Sequence, residues 1–286
     1  MADALTGKTE IDAVSEELVS LRVQQVLTAE AVVFPLMSDY SDQAGPGIDV
    51  VKIPKFSNFS VASKAENTAA DASINAFSAD SLALSTYEYV QFLVEDIAGL
   101  QAKPNIVAAY IEQAGKDLAA KMDANIVAAL DAGPSTSSPD HDMKYNDATN
   151  EDLEKTDILE TRRLLNVAKV PMSGRWGIIN PSKEKDLLNI SEFVRVDEAG
   201  GSAALRNGQI GRLFGYDIVV YQGTEATSGA SYFGHQSACA VARQMAPKIE
   251  MQRQIEHLGD RWSISHIYGI KVLDSGKRFV RITETP

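Results

Sequence analysis

Between Pro104 and Gly133 apolar residues recur at steps of three and four: Val107, Ile111, Ala114, Leu118, Met122, Ile126 and Leu130. That spacing places them on one face of a helix. Glu112, Lys116, Asp117, Lys121 and Asp123 lie largely off it. Pro104 suits the first turn, where its missing N–H costs nothing, and Gly133-Pro134 is a stop signal. Seven alanines (Ala108, Ala109, Ala119, Ala120, Ala124, Ala128 and Ala129) favour helix and close approach. The pattern predicts a helix over 104–132, at 1.5 Å per residue roughly 45 Å long. So long a stripe needs an equally long partner surface.

Upstream, Ile11, Val14, Leu18, Leu21 and Val26 have helical spacing, with Glu10, Asp12, Glu16 and Glu17 facing elsewhere. Gly45-Pro46-Gly47 then breaks the chain. Residues 48–56 read as a strand through Ile48, Val50, Val51, Ile53 and Phe56. Residues 82–93 read as another, in which Leu82, Leu84, Thr86, Val90 and Phe92 alternate with Ser85, Tyr87, Tyr89 and Gln91. The link from Ser57 to Ser81 is rich in Ala, Ser, Asn and Asp, and far longer than the two to five residues of an ordinary hairpin loop. Two strands with a weakly apolar tip cannot build their own core. Such a projection is stable when it lies on another surface, the first sign of a chain made to be one of many.

Downstream, residues 151–169 read as a helix with Leu153, Ile158, Leu159, Leu164, Leu165 and Ala168 as its apolar set. Arg175-Trp176-Gly177-Ile178-Ile179 is a short buried strand, and Asn180 or Ser182 caps a helix through Leu187 and Leu188. A loop rich in Gly, Ala, Ser and Asn covers 197–209, Gly211 to Asp217 is a turn, and Ile218 to Tyr221 a strand. The last third is strand-rich, with good alternation from Trp262 to Val272 and an apolar close at Phe279, Val280 and Ile282. No repeat of fixed period is present.

The 286 residues allow one or two domains. No apolar run reaches the ~18 residues of a membrane-spanning helix, and the polar, acidic stretch Met1 to Glu17 predicts no secretory signal. One cysteine, Cys239, allows neither a disulfide framework nor a multi-cysteine metal site, and its small apolar flanks predict a core position. A net charge of −12 argues against a dedicated nucleic-acid binder.

The search for chemistry finds little. Asp140-His141-Asp142 is expected to be a solvated loop rather than a cation site. His257, Asp260 and His266 lack a metal-ligand spacing and are read as structural. Gly208, Gly211 and Gly215 are turn glycines, wrongly spaced for a dinucleotide fingerprint. The acid pairs Glu16-Glu17 and Glu95-Asp96 carry no information in so acidic a chain, and Asn58-Phe59-Ser60 fits a glycosylation acceptor with nothing to suggest secretion. No catalytic, cofactor or metal residue is assigned.

Four stretches stand in a telling order. Tyr87-Glu88-Tyr89-Val90-Gln91-Phe92-Leu93-Val94-Glu95-Asp96 runs into Pro104 and the long helix, and Arg175-Trp176-Gly177-Ile178-Ile179-Asn180-Pro181 steps from strand to helix. Gly211-Arg212-Leu213-Phe214-Gly215-Tyr216-Asp217-Ile218-Val219-Val220 is a turn and strand. Tyr232-Phe233-Gly234-His235 to Ala242 and then Ile267-Tyr268-Gly269-Ile270-Lys271-Val272 close the chain. Together they resemble the major capsid proteins of tailed double-stranded-DNA bacteriophages, an α+β family with the Hong Kong ninety-seven-type fold. The resemblance covers about Ile48 to Ile282.

It implies an N-terminal arm (1–47), an extended β-hairpin loop (48–98), a peripheral domain (99–148 with 248–286) carrying a spine helix over 104–132, and an axial domain (149–247). It implies pentamers and hexamers that close into an icosahedral head around double-stranded DNA, in the virion, after assembly in the host cytoplasm. It brings no catalytic residue, no cofactor and no membrane. An arm of 47 residues is too short for a built-in scaffolding domain, so a separate scaffolding protein or a processed chain is expected, with a portal and a decoration protein as further partners. Some members cross-link a loop lysine to a neighbour's asparagine; Lys64 lies in the loop tip, but without an identifiable acid and asparagine that chemistry is not carried over. The rival readings are an encapsulin-like shell with enzyme cargo and, from another class, a small-molecule enzyme with a pocket near His257 and His266.

Overall fold

The computed structural model describes residues 31–56, 61, 63–64, 66–67, 77–96, 106–136, 140–145, 152–189, 211–223 and 229–284. The expected helix at 11–26, Pro104, Glu16-Glu17, Asn58 to Ser60, Gly208 and the loop at 197–209 lie outside them. In chain order the elements are β1 (Ser38–Asp39), β2 (Val50–Phe56), β3 (Phe77–Ala83), β4 (Thr86–Glu95), α1 (Ile106–Ala132), β5 (Asp142–Lys144), α2 (Lys155–Val167), β6 (Arg175–Ile179), α3 (Pro181–Asn189), β7 (Arg212–Leu213), β8 (Tyr216–Val220), β9 (Ser231–His235), β10 (Cys239–Gln254), β11 (Gly259–Val272) and β12 (Phe279–Thr283).

The helix α1 carries the stripe that the periodicity predicts. Ile111, Ala114, Leu118, Met122, Ile126 and Leu130 are buried and Val107 packs at its edge. The stripe lies against a four-stranded sheet of order β1-β10-β11-β4, meeting Cys239, Val241, Ile249, Ile264 and Tyr268. Each large side chain fully withdrawn from water there contributes about 1.5–3 kcal/mol before the entropy of ordering it. β10 and β11 form a long antiparallel hairpin whose register slips between Arg243 and Lys248. Pro247 sits in the slip, and a residue with no N–H cannot continue the ladder.

A six-stranded sheet of order β5-β12-β9-β6-β8-β7 stands between two cores. All five residues of its inner strand β6 are buried, which explains why the strand reads as an unbroken apolar run. Trp176, Ile178, Tyr232 and Phe279 face the core shared with α1. Ile179, Ile218, Phe233, Val280 and Ile282 face the core built with α2 and α3. α2 opens on a capping box between Glu154 and Asp157. In α3, Asn180 is the cap, its Oδ1 accepting the Ser182 N–H at 3.3 Å. The expected turn at 211–217 is a complete hairpin of β7 and β8. Phe214 (φ 48°) and Gly215 (φ 89°) both take left-handed geometry there, the shape a two-residue hairpin turn requires.

Two expectations are corrected. The single strand at 82–93 is two: β3 pairs with β2 and β4 with β11, the chain changing partners at Leu84-Ser85. The inward alternation nevertheless runs through the break, with Leu82 and Leu84 both buried. Leu159 is exposed, because the buried face of α2 follows Ile158, Thr161 and Leu165 and the next residue turns some 100° away. Asp123 lies off the main stripe as expected and is nevertheless buried. It sits between Ala119 and Val127, in a second row of four-spaced positions flanking the main stripe.

Candidate interaction surfaces

β2 and β3 form a two-stranded sheet of their own, antiparallel from Val50 opposite Ala83 to Phe56 opposite Phe77. Its inward face is small: Val51, Leu82 and Leu84 pack on Ala240, Ala242 and Leu273, with Ile53 and Tyr40 at the edge. Small residues are needed because the strands meet backbone to side chain. A Cβ at Gly269 would collide with the carbonyl oxygen of Ala83. β10 is therefore sandwiched at this end, with Cys239 and Val241 toward α1 and Ala240 and Ala242 toward the hairpin.

Polar contacts complete the anchorage. Lys55 forms an ion pair with Asp274, the Asp274 N–H donates to Asp80 at 3.2 Å, and Gln244 Nε2 donates to the carbonyl of Ile48 at 2.8 Å. Burial alone would raise the Asp274 carboxyl, but Lys55 and Arg278 outweigh it and hold the group below the usual range. On the outer side Ile48 and Val50 are exposed.

The segment entering this region is pinned to α1. Asp123 accepts the backbone N–H groups of Val32 (2.6 Å), Val33 (3.1 Å) and Phe34 (3.0 Å). Burial pushes its carboxyl upward, partly offset by the three donors. The guanidinium of Arg243 lies 4.7 Å from the Phe34 ring centroid. This anchor was missed on the sequence, although an acid between Ala119 and Val127 was the available signal.

Two further surfaces carry apolar side chains. On β4, Tyr87 and Tyr89 are exposed on the face away from α1. At the turn joining β10 and β11, Ile255 is 81% exposed and Leu258 64%, and Met251 is exposed on β10 before the turn. Arg253 braces that turn, with Asp96 at 2.6 and 2.5 Å and Asp260 at 3.3 Å; the hydrogen bond from Arg253 is what lowers Asp96.

The residues weighed for chemistry do not converge. His141, expected in a solvated loop, is buried, its Nδ1 2.9 Å from the Phe279 carbonyl oxygen. Its neighbour Asp142 holds Arg281, which also reaches the carbonyl of Asp131 at the end of α1 (2.5 Å). That bridge ties α1 to the six-stranded sheet, and it draws His141 inward with β5. His257 is exposed in the β10–β11 turn, Asp260 pairs with Arg253, and His266 is buried. His266 Nε2 lies 3.4 Å from Glu88, which also accepts from Tyr268 (2.9 Å) and Asn125 (2.8 Å). Among the described residues no three His, Cys, Asp or Glu side chains could share a metal ion. Cys239 is buried as expected, and burial pushes its thiol up to about 12. Glu95 and Lys64 are exposed. An open cavity of about 660 Å³ lies between α1 and the end of β8, near neither His257 nor His266.

Comparison with known proteins supplies the remaining evidence. The model of the family described as phage capsid protein matches residues 80–282. A structure of Mycobacterium phage Che8 matches with a TM-score of 0.68 and 26% identity, covering 88% of this chain and 91% of that one. The capsid structure of cyanophage P-SCSP1u matches with a TM-score of 0.69 and 17% identity, covering 89% and 88%. A virus-like particle from Pyrococcus furiosus shares the fold at a TM-score of 0.60 and 11% identity, covering 94% and 99%. No curated protein sequence matches the chain. The mixed helix-and-strand fold is thus that of tailed-phage capsid proteins, the Hong Kong ninety-seven type, and with more than half its length matched by the family model the chain belongs to the phage capsid protein family.

Proposed function

We propose that this chain is the major capsid protein of a tailed phage, assembling through pentamers and hexamers into an icosahedral head that encloses double-stranded DNA. The observation that carries the reading is the β2–β3 sheet. It is two strands wide and meets the body through one face, by Val51, Leu82 and a few polar contacts as far out as Lys55, and an isolated two-stranded sheet is marginal in water. A neighbouring copy supplies the surface it lacks. Closed shells reuse one set of patches on every subunit, and several modest contacts per chain make the whole far stronger than any one of them. The charge of −12 suits a container for a polyanion, because a basic wall would hold the genome fast.

In this reading residues 1–47 are the arm, 48–98 the extended loop, 99–148 with 248–286 the peripheral domain and 149–247 the axial domain, although β5 and β12 pair within the six-stranded sheet. A scaffolding protein, a portal and a decoration protein are the further partners, and assembly takes place in the host cytoplasm. The test uses the register of β2 and β3. Positions 56 and 77 are partners in the backbone register, so an Asn-Gly turn can replace 57–76 and still close the hairpin. The shortened chain is expected to remain folded and to give free subunits or aberrant aggregates under electron microscopy; normal closed particles would refute the role given to the loop. The second reading is an encapsulin-like shell around enzyme cargo, kept because the fold is also that of a virus-like particle from Pyrococcus furiosus. Nuclease-protected double-stranded DNA inside purified particles decides for the phage head, and a protein cargo without DNA decides for the compartment.

A further inference from the structure

We propose that the free edge of β4 pairs with β4 of a second copy of this chain, antiparallel and about a two-fold axis at Gln91. β4 is an end strand of the four-stranded sheet, and among the described residues only β11 pairs with it. The Asp96 N–H donates to the Leu258 carbonyl at 3.0 Å. From there the register runs without a slip, from Glu95 opposite Gly259 to Thr86 opposite Tyr268. Along an antiparallel ladder hydrogen-bonded pairs alternate with non-bonded ones. The even residues of β4 therefore bond to β11. The odd ones, Tyr87, Tyr89, Gln91, Leu93 and Glu95, turn their N–H and C=O groups toward the open edge.

Two other strand edges in the fold are guarded. β10 breaks register between Arg243 and Lys248 around Pro247 and carries the surface pair Lys248–Glu250. β2 holds Lys52 and Pro54. Slips, prolines and charges of this kind keep an edge from recruiting another strand. β4 has none of them: no proline, glycine or lysine lies in Thr86–Glu95. Its acids do not close the edge either. Glu88 is held by Asn125 and Tyr268 of its own subunit, and Glu95 stands at the strand's end.

The pattern of β4 selects its own copy as the occupant. Centred on Gln91, antiparallel pairing sets Tyr89 opposite Leu93 and Tyr87 opposite Glu95 on the outer face. Toward α1 it sets Val90 opposite Phe92 and Glu88 opposite Val94. No acid meets an acid, and aromatic and aliphatic side chains meet across the seam, a stabilising kind of cross-strand pair. The exposed ring of Tyr89 is covered by the same contact. Moving the centre to Phe92 brings Glu88 opposite Asp96, acid on acid; moving it to Val90 takes Glu95 out to Ser85, beyond the strand. In the favoured register the odd residues of the two strands exchange about ten backbone hydrogen bonds, the main-chain source of affinity in strand addition. The pairing concerns two copies and does not presuppose a closed shell; within a shell it is a contact in which both copies use the same patch.

The experiment uses the full-length protein, as particles and as concentrated free subunits. Gln91→Cys places one thiol on the axis, and hydrogen-bonded partners lie about 5.5 Å apart at Cα, within reach of a disulfide. Cys239 is buried, so mild oxidation should link most chains in pairs, mapped to 91–91 by peptide mass spectrometry. Tyr89→Cys and Leu93→Cys fix the register. Each alone stays unlinked, its own copy lying about 13 Å away along the strand, and the two mixed give an 89–93 link. Gln91→Pro removes, besides a side-chain contact to Ser263 at 3.3 Å, only an N–H that faces the open edge. It should leave the urea midpoint of the subunit near wild type and abolish the 89–93 link. In the wild type, the amides of the five odd residues should exchange at least tenfold more slowly in the assembled protein than in dilute subunits. No 91–91 link in either form overturns the pairing, and slowed amides without that link assign the edge to another strand and overturn the occupant. Closed particles without the link reject this inference and leave the shell reading intact; the link without particles does the reverse.

Discussion

The helix α1 and the β2–β3 sheet meet the rest of the chain in opposite ways. α1 buries a continuous stripe from Ile111 to Leu130, and side chains from both larger sheets close over it. The β2–β3 sheet touches the body through Val51, Leu82 and Leu84 at one end, on a floor of alanines, and otherwise through a few polar contacts. The first region is complete within one subunit. Among the described residues the second is held on one face and exposed on the other. Under the proposed shell reading, folding and assembly therefore rest on different residues and can be broken separately.

The largest effect is expected in α1. Ile126→Ala removes a fully buried side chain from the middle of the stripe and should cost about 2–5 kcal/mol, read by urea unfolding of free subunits. A loss below about 1 kcal/mol would mean that α1 is less enclosed than its burial shows. Gly269→Val comes next and strikes the other region. Its side chain would run into the Ala83 carbonyl and lie against Leu84, an overpacking worth about 1–3 kcal/mol. The expected outcome is a folded subunit with a displaced hairpin base, seen as faster proteolysis within 50–83, and particle yield lost out of proportion to the stability change.

The same contrast decides how much was legible beforehand. α1 announced itself because a 3.6-residue period over 27 residues is a strong local signal. β6 was legible for a similar reason, being buried on both faces. The exchange of partners at Leu84-Ser85 was not, because alternation has the same period on either side of the break and says nothing about which strand lies alongside. β3 began earlier than expected for a related reason: Phe77-Ser-Ala-Asp has little strand character and is extended because β2 pairs with it. His141 was misjudged as solvated, and the anchoring role of Asp123 went unread, because a polar side chain is assigned to water unless its partner can be named. Those partners, the N–H groups of 32–34 and the accepting carbonyl of Phe279, belong to backbone far along the chain.

A smaller, pH-dependent effect tests the seam between the regions. His266 on β11 faces Glu88 on β4, with Asn125 from α1, Tyr268 beside it and Arg243 of β10 nearby. Burial lowers its pKa, Glu88 opposes that shift, and Arg243 adds to it. A histidine lowered on folding resists a proton that the unfolded chain accepts. Its stability contribution is therefore intact above the unfolded value of about 6.5 and is lost as the pH falls below it. One such group adds at most about 1.4 kcal/mol per pH unit to the slope. Thermal unfolding of free subunits between pH 7.5 and 5.5 should show that slope in the wild type and a flatter one in His266→Gln. Parallel slopes would remove His266 from the account.

The smallest effect on the subunit belongs to Lys55 and is the sharpest test of the comparison. The Lys55–Asp274 pair is partly exposed, with 40% and 28% of the side chains accessible, so solvent screening limits it to about 1 kcal/mol or less. Because the Asp274 carboxyl is held below its usual range, the contribution is present above the unfolded carboxylate value near 3.9 and disappears as the pH falls through the folded one. Lys55→Ala should therefore change subunit stability little at neutral pH, less at 1 M salt, and not at all in strong acid. Particle yield should respond more, because the pair sets the direction in which the hairpin leaves its base and a closed shell repeats any error in every copy. If Lys55→Ala instead costs the free subunit more than about 2 kcal/mol while particles form normally, the hairpin base belongs to the folding core and the division drawn between the two regions is wrong.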